Sequence, residues 1–269
     1  MPIISAYCRK GGVGKTTVLS YLAHYFAKKG NTVLILSSDD QNSVFKVFGV
    51  EKKIDENVDN FFEHLLTGDK YEGDILIEAR EDLYLIKTLN TDQISMQITL
   101  NRPYEKKVIE AVKEYANGFD YVFIDFPPSG CRLTEVLLEI SDEIIVVVGL
   151  DSLGIDGFFN TIQYFVDKDL DLDKVKYVVP NGYDKNKRAP QVSLEHLEQQ
   201  VKDFTKKAVL LPALRDKSII KNIQSEGWSV YDDNLPLKPY DKSMFEELKK
   251  DLEDIYSRFK FKSHKNVDK

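Results

Sequence analysis

Apolar residues are arranged along this chain in short, β-branched runs that alternate with stretches of helical spacing. The runs Ile3–Tyr7, Thr32–Leu36, Leu83–Ile86, Tyr121–Ile124, Ile144–Val148, Val175–Val179 and Ala208–Leu211 are predominantly apolar rather than apolar at every second position. Continuous apolarity marks strands covered on both faces, as in a parallel sheet. Apolar positions at helical spacing predict helices near residues 15–29, 103–116, 132–140, 154–167 and 190–206, and an amphipathic closing helix from Lys242 to Phe259. The alternation predicts an α/β fold with a doubly wound, mostly parallel sheet, helices on both faces and ligands at the strand C-termini. The interval 44–82 is less regular and predicts only a short helix at Asn60–Leu66. No internal repeat or low-complexity linker interrupts the pattern. The expectation is one domain over 1–269, a flexible, solvated tail from about residue 257, and no N-terminal helix-turn-helix domain.

Composition narrows the function classes. The 269 residues carry 37 basic and 44 acidic side chains, a net charge of −7. That balance excludes a uniformly basic nucleic-acid coat and confines any DNA contact to a local patch. Cys8 and Cys131 have no Cys-x-x-Cys partner; they provide no disulfide framework and suit a reducing cytosol. The start Met-Pro-Ile-Ile-Ser lacks the basic region and long apolar core of a leader. The longest apolar run, Ile144–Val148, is too short to cross a bilayer. A soluble cytoplasmic protein is expected. The four histidines show no metal-ligand spacing.

The strongest chemical signal is Arg9-Lys10-Gly11-Gly12-Val13-Gly14-Lys15-Thr16-Thr17, between the first predicted strand and the first predicted helix. A strand, a glycine-rich turn and a helix form the context of a phosphate-binding loop. Glycines let backbone N–H groups turn inward, and the helix start adds unsatisfied N–H groups and a positive dipole end. Lys15 is placed to reach β/γ-phosphates and Thr16 to ligate Mg²⁺. A second signal is Tyr121–Ile124 followed by Asp125-Phe126-Pro127-Pro128-Ser129, an apolar strand ending in an acid and stiffened by two prolines. A buried strand rarely ends in an unpaired carboxylate without a use such as holding Mg²⁺. A third is Leu36-Ser37-Ser38-Asp39-Asp40-Gln41, which puts a carboxylate at the end of the second strand, beside the loop.

Together these motifs resemble the deviant Walker A ATPases of the ParA/MinD family. Lys10 before the glycine pair is the mark of that group. The resemblance implies that Lys10 crosses a dimer interface to touch the partner subunit's nucleotide. It implies an ATP site made of Lys10, Gly11, Gly12, Val13, Gly14, Lys15, Thr16 and Thr17. It also implies Mg²⁺ on Thr16, Asp39 and Asp125, the carboxylates acting through water, with Lys10, Lys15 and Asp39 catalytic. Asp39 and Gln41 match the family's D-x-D-P-Q segment, whereas Ser37 replaces its first Asp and Asp40 its proline. Ser129–Leu133 matches switch II, and Leu153–Gly157 the segment leading into the interface helix. Asn181 is expected to read the base, opposite the backbone after Leu211-Pro212, which adds Pro212 to the site.

Two basic clusters complete the picture: Lys185, Lys187 and Arg188, and then Arg215, Lys217 and Lys221. The stretch from Leu211-Pro212 to Val230-Tyr231-Asp232 is similar to a segment of chromosome and plasmid ParA proteins, though Leu-Pro-Ala-Leu-Arg stands where they have Ile-Pro-Arg-Asn. The implied function is a short ParA-type partition ATPase, cytoplasmic and nucleoid-associated. Its ATP-bound homodimer would bind nonspecific double-stranded DNA, and a ParB-type centromere-binding adaptor would stimulate its hydrolysis. A MinD-like ATPase that binds membrane, or a metabolic member of the same fold, are the alternatives. The aromatic-basic tail Arg258–Lys265 offers too small an apolar face for a membrane anchor. Cys131 invites comparison with the nitrogenase iron protein, but with one cysteine in that region no shared cluster is expected.

Overall fold

A computed structural model describes residues 1–51, 75–216 and 218–261. The short helix expected at Asn60–Leu66 lies outside them. The described strands form a nine-stranded sheet: β1 (Ile3–Tyr7), β2 (Val33–Ser37), β3 (Ile77–Arg80), β4 (Leu83–Ile86), β5 (Tyr121–Asp125), β6 (Glu143–Gly149), β7 (Val175–Tyr183), β8 (Val209–Leu210) and β9 (Leu214–Arg215). Their order is β3-β4-β2-β5-β1-β6-β7-β8, with β9 pairing to the far end of β7. All pairs are parallel except β3–β4. Every residue of β1, β2 and β5 is buried, as continuous apolarity requires of strands covered on both faces.

Nine α-helices among the described residues cover those faces. They are α1 (Lys15–Lys28), α2 (Ser43–Val47), α3 (Thr91–Leu100), α4 (Arg102–Ala116), α5 (Arg132–Ile140), α6 (Ser152–Asp167), α7 (Arg188–Phe204), α8 (Ser218–Ser225) and α9 (Lys242–Tyr256). Sequence periodicity anticipates α1, α4, α5, α6, α7 and α9, but not α2, α3, α8, the two-residue β9 or the antiparallel β3. The missed strand has a physical reason. Ile77 and Ala79 are buried while Glu78 is exposed, the alternating signature of an edge strand in a four-residue window too short to stand out.

Strand β1 lies between β5 and β6: the chain leaves it toward β2 on the β5 side and later crosses back from β5 over β1 to β6. That reversal opens a crevice at the C-terminal ends of β1 and β5, the place where such sheets bind ligands. The register sets Ala6 beside Asp125 and Ser37 beside Asp125 on the other side. The phosphate loop, the β2 exit and the acid at the end of β5 are therefore neighbours by strand pairing alone.

Two devices close the lower and C-terminal parts. Arg80 holds Asp232 through both its Nε (2.6 Å) and Nη2 (2.8 Å), and donates to the carbonyls of Phe48 and Gly227. Asp232 also accepts the Ser229 N–H, and Ser229 Oγ meets His24 Nδ1. Burial pushes the His24 imidazole down to about 4, so this knot holds a neutral ring. At the other end, Phe259 and Phe261 are buried against Tyr177, Phe26 and Phe123, and the Lys260 N–H donates to the Tyr177 hydroxyl. The expected frayed tail is corrected over 257–261. The two rings find an apolar seat between sheet and helix α9 that periodicity in a five-residue segment cannot reveal; residues 262–269 lie outside the description.

Arg80→Ala strands the Asp232 carboxylate in a site where it is 7% exposed. The expected loss is about 3–5 kcal/mol of folding stability, read as a shift of the urea unfolding midpoint; a change below about 1 kcal/mol would show that the ion pair does not hold this corner.

Candidate nucleotide site

The turn after β1 is built to leave donors free. Gly14 occupies the N-cap position of α1 with φ 94°, no side chain caps the helix, and no acid lies in its first turn. Helix α6 shows the contrast: there Asp151 caps the start by accepting the Gly154 N–H at 2.6 Å. An uncapped, positively poled helix start is an anion site in waiting. Gly14 has a second reason to lack a side chain, since a Cβ there would collide with Asn181 Nδ2. That amide donates to the Val13 carbonyl at 2.8 Å and fastens the end of β7 to the loop.

Beneath the loop lie the charged groups. Asp125 is fully buried at the end of β5. Its Oδ2 accepts the Thr16 hydroxyl at 2.9 Å, whereas its Oδ1 has no hydrogen-bond partner among the described residues. Burial pushes the carboxyl up to about 7, against the pull of the Thr16 hydroxyl and the Lys15 ammonium. Lys15 is buried as well. Its Nζ donates to the Lys10 carbonyl at 3.2 Å, and burial lowers its pKa despite the charges of Asp125 and Asp39. Asp39, half-buried, faces the same ammonium from the β2 exit; its Oδ1 accepts the Gln41 N–H at 3.0 Å. A hydroxyl, an orphaned carboxylate oxygen and a second carboxylate nearby are hard oxygen donors, the set that suits Mg²⁺. No group of three or more His, Cys, Asp or Glu side chains forms a denser metal cluster among the described residues.

A cavity of about 500 Å³ opens beside the loop, lined at its phosphate end by Lys10, Gly11, Gly12, Gly14 and Thr17. Its volume suits a nucleotide-sized ligand. Lys10 stands at the mouth. Its stem passes so close to α6 that a Cβ on Gly157 would lie 2.6 Å from Lys10 Cβ, so Gly157 keeps the lysine's path clear. Arg9 beside it is tied down, with its N–H on Thr161 Oγ1 and its guanidinium 4.6 Å from the Tyr164 ring centre.

A family model described as an AAA domain matches residues 1–174. The sporulation initiation inhibitor protein Soj of Bacillus subtilis is 31% identical over 64% of this chain and 68% of its own length. The chain belongs to the ParA/MinD family of P-loop ATPases. The chromosome-partitioning ATPase Soj of Thermus thermophilus is 30% identical, over 55% of each chain. Among solved structures, a complex of a McdA variant from Cyanothece with ATP superposes with a TM-score of 0.75 at 13% identity, over 98% of this chain and 99% of that one. At that identity the likeness speaks for the fold.

The end of the cavity away from the loop combines expected and unforeseen residues. Asn181 and Gly182 line it, as do Leu214, Arg215 and Asp216, the backbone just past Pro212. Pro212 itself is exposed and is not among the lining residues. Tyr21, Gln224, Leu252 and Tyr256 form the far wall. Gln224 Nε2 donates to Thr17 Oγ1 at 3.0 Å, and the Tyr256 hydroxyl donates to the Val18 carbonyl. These residues come from α1, α8 and α9, up to 235 positions apart in sequence (Tyr21 to Tyr256), and carry no motif that could have announced them. Of the basic candidates, Lys185, Lys187, Arg188 and Lys221 are exposed. Lys187 pairs with Asp184 at 3.2 Å. Arg215 is gripped by Asp251 at 2.5 and 2.6 Å, with Glu247 at 3.7 Å. Lys217 lies outside the described residues. Cys8 and Cys131 are both free thiols, Cys8 buried with its pKa raised by that burial.

The state of Asp125 makes the nucleotide-free protein pH-sensitive. Its carboxyl titrates near 3.8 when unfolded and near 7 when folded, so between those values the folded chain holds a proton that the unfolded chain has lost. Stability from this group is full below about pH 4 and falls as pH rises to 7. Asp125→Asn is expected to gain on the wild type by a few degrees of Tm between pH 5 and pH 8, measured by thermal melts without nucleotide or Mg²⁺. A constant difference across that range would contradict the raised pKa.

Proposed function

We propose that this chain is a ParA-type partition ATPase whose ATP-bound dimer holds nonspecific DNA. The observation that carries the reading is the pairing of two lysines around one loop: Lys15 buried over Asp125, and Lys10 at the cavity mouth with its path cleared by Gly157. One subunit uses Lys15 to fix phosphate. Lys10, which lines the cavity but does not join the buried Lys15–Asp125 cluster, serves a site on a second copy of the chain.

In this reading the loop N–H groups and the α1 start cradle the phosphates, and Thr16 and Asp125 hold Mg²⁺ with Asp39 beside them. The ion, once bound, offsets the charge that develops on the β- and γ-phosphate oxygens. Asp39 orients the attacking water; the Gln41 N–H fixes the plane of its carboxylate. Asn181 and the 214–216 backbone frame the base. Dimerisation pools the exposed Lys185, Lys187, Arg188 and Lys221 of two subunits, so patches that are weak singly gain avidity. Arg215, neutralised by Asp251 and Glu247, contributes least. Hydrolysis, slow alone and stimulated by a ParB-type centromere-binding adaptor, separates the dimer and releases DNA. The protein would work in the cytoplasm on the nucleoid.

The membrane-binding alternative loses support from α9. Its apolar residues Phe245, Leu248, Leu252 and Ile255 are buried in this protein, which leaves that helix no apolar face for lipid. No helix among the described residues is long and apolar enough to cross a membrane.

Sedimentation with duplex DNA or with liposomes, each with ATP or ADP, separates the readings. The expected result is ATP-dependent DNA binding that declines steeply with salt; liposome binding with indifference to DNA would refute the DNA reading. Lys10→Ala is expected to abolish ATP-dependent dimerisation while changing ATP affinity of the monomer by less than about threefold, as judged by light scattering and nucleotide titration. Dimers formed by that variant with ATP would remove the crossing lysine from the mechanism.

A further inference from the structure

Position 40 carries an aspartate where the family segment has proline, and the side chain has acquired a task. Asp40 Oδ1 accepts the Thr91 N–H at 3.0 Å and the Thr91 hydroxyl as well. Thr91 is the first residue of α3, and Asn90 before it is left-handed (φ 57°) and makes no side-chain cap. The helix is therefore capped from 51 positions upstream, by the segment that also bears Asp39. A charged acceptor at a helix start is favoured by both the orphan N–H groups and the dipole.

A second joint reinforces the first. Asn42 is buried with φ 45°. Its Nδ2 donates to the Thr88 carbonyl at 2.9 Å and its Oδ1 accepts the Thr88 N–H at 3.2 Å. On the other flank, the Ser38 N–H and hydroxyl both donate to the Asp125 carbonyl, at 2.9 and 2.8 Å. Asp39 is thus strung between the end of β5 and the head of α3. Its own carbonyl accepts the Asn42 N–H at 2.8 Å. A proline at 40 would stiffen the backbone but could make neither of the Asp40 side-chain bonds.

We propose that Asp40 is a positioning residue for hydrolysis: by capping α3 through Thr91, it anchors the Asp39 loop and sets where the Asp39 carboxylate stands. The inference rests on Asp39 as the water-orienting group. Asp40 itself stays outside the phosphate and metal cluster and acts only through its neighbour. Loosening the clamp displaces Asp39 without touching the phosphate loop, so hydrolysis slows while nucleotide binding survives. A misplacement of about 1 Å at a reacting centre is enough to cost on the order of 100-fold in rate.

The test is single-turnover ATP hydrolysis and nucleotide affinity in Asp40→Ala, Thr91→Val, the double variant and Asp40→Asn, with thermal melts alongside. Asp40→Ala should slow hydrolysis roughly 10- to 100-fold and shift ATP affinity by less than about threefold. Thr91→Val keeps the N–H but removes the hydroxyl, and should slow it less. The double variant should be no slower than Asp40→Ala, because both changes break one joint. Asp40→Asn, whose amide oxygen can still accept from Thr91, should recover most of the rate. An unchanged rate in Asp40→Ala, a rate loss that multiplies in the double variant, or no recovery with Asn would overturn the proposal. If Asp40→Ala fails to fold, Thr91→Val and Asp40→Asn decide by the same criteria. Asp39→Asn is the separate control: hydrolysis at the wild-type rate there defeats the reading of Asp39, whereas a dead Asp39→Asn with a normal Asp40→Ala defeats only the clamp.

Discussion

Asp125 has been taken entirely out of water, and much of the molecule is arranged around that fact. A carboxylate at the end of a doubly covered parallel strand costs free energy in either protonation state unless something answers it. Thr16 answers one oxygen, and Lys15 lies close enough to pull the pKa back toward its ordinary range without reaching it. The other oxygen has no hydrogen-bond partner among the described residues. A site in that condition gains from a divalent cation brought in with polyphosphate, because the ion and the phosphates neutralise what the fold leaves unbalanced. The same residues that make the free protein uncomfortable at neutral pH make ligand binding favourable.

The sheet enforces this arrangement with few degrees of freedom. Parallel pairing of β1 and β2 to β5 brings Ala6 and Ser37 level with Asp125, so the phosphate loop and the Asp39 segment must leave the sheet on either side of one acid. Ser38 then clips the Asp39 segment to the Asp125 carbonyl. Asn181 does the equivalent from β7, through Val13. The end of β2 is thus fastened to β5 by two hydrogen bonds and the end of β7 to the phosphate loop by one, each worth about 1 kcal/mol. Small energies suffice here because the strands already fix the distances.

The C-terminal part belongs to this construction rather than hanging from it. Leu252 and Tyr256 of α9 line the cavity, Arg215 is pinned to Asp251 on the same helix, and Phe259 and Phe261 wedge the chain end against Tyr177. Motion of α9 would therefore be felt at the nucleotide.

The phosphate loop, the acid at Asp125 and the parallel α/β class were legible in the sequence because each depends on local order: glycines and a lysine at fixed spacing, an apolar run closed by an acid, β-branched runs between helical stretches. Lys10 and Gly14 could be singled out for the same reason. What the sequence could not convey was proximity between distant positions. Gln224 on Thr17, Tyr256 on Val18, Arg80 on Asp232 and Asp40 on Thr91 have no shared motif, and their meaning exists only once the sheet has brought α1, α3, α8 and α9 together. Arg215 shows the same limit in reverse, since a residue that is basic in the sequence is neutralised by acids 32 to 36 positions away. Local chemistry fixes which groups can act; the tertiary structure decides which of them meet, because burial and pairing depend on neighbours that chain order does not supply.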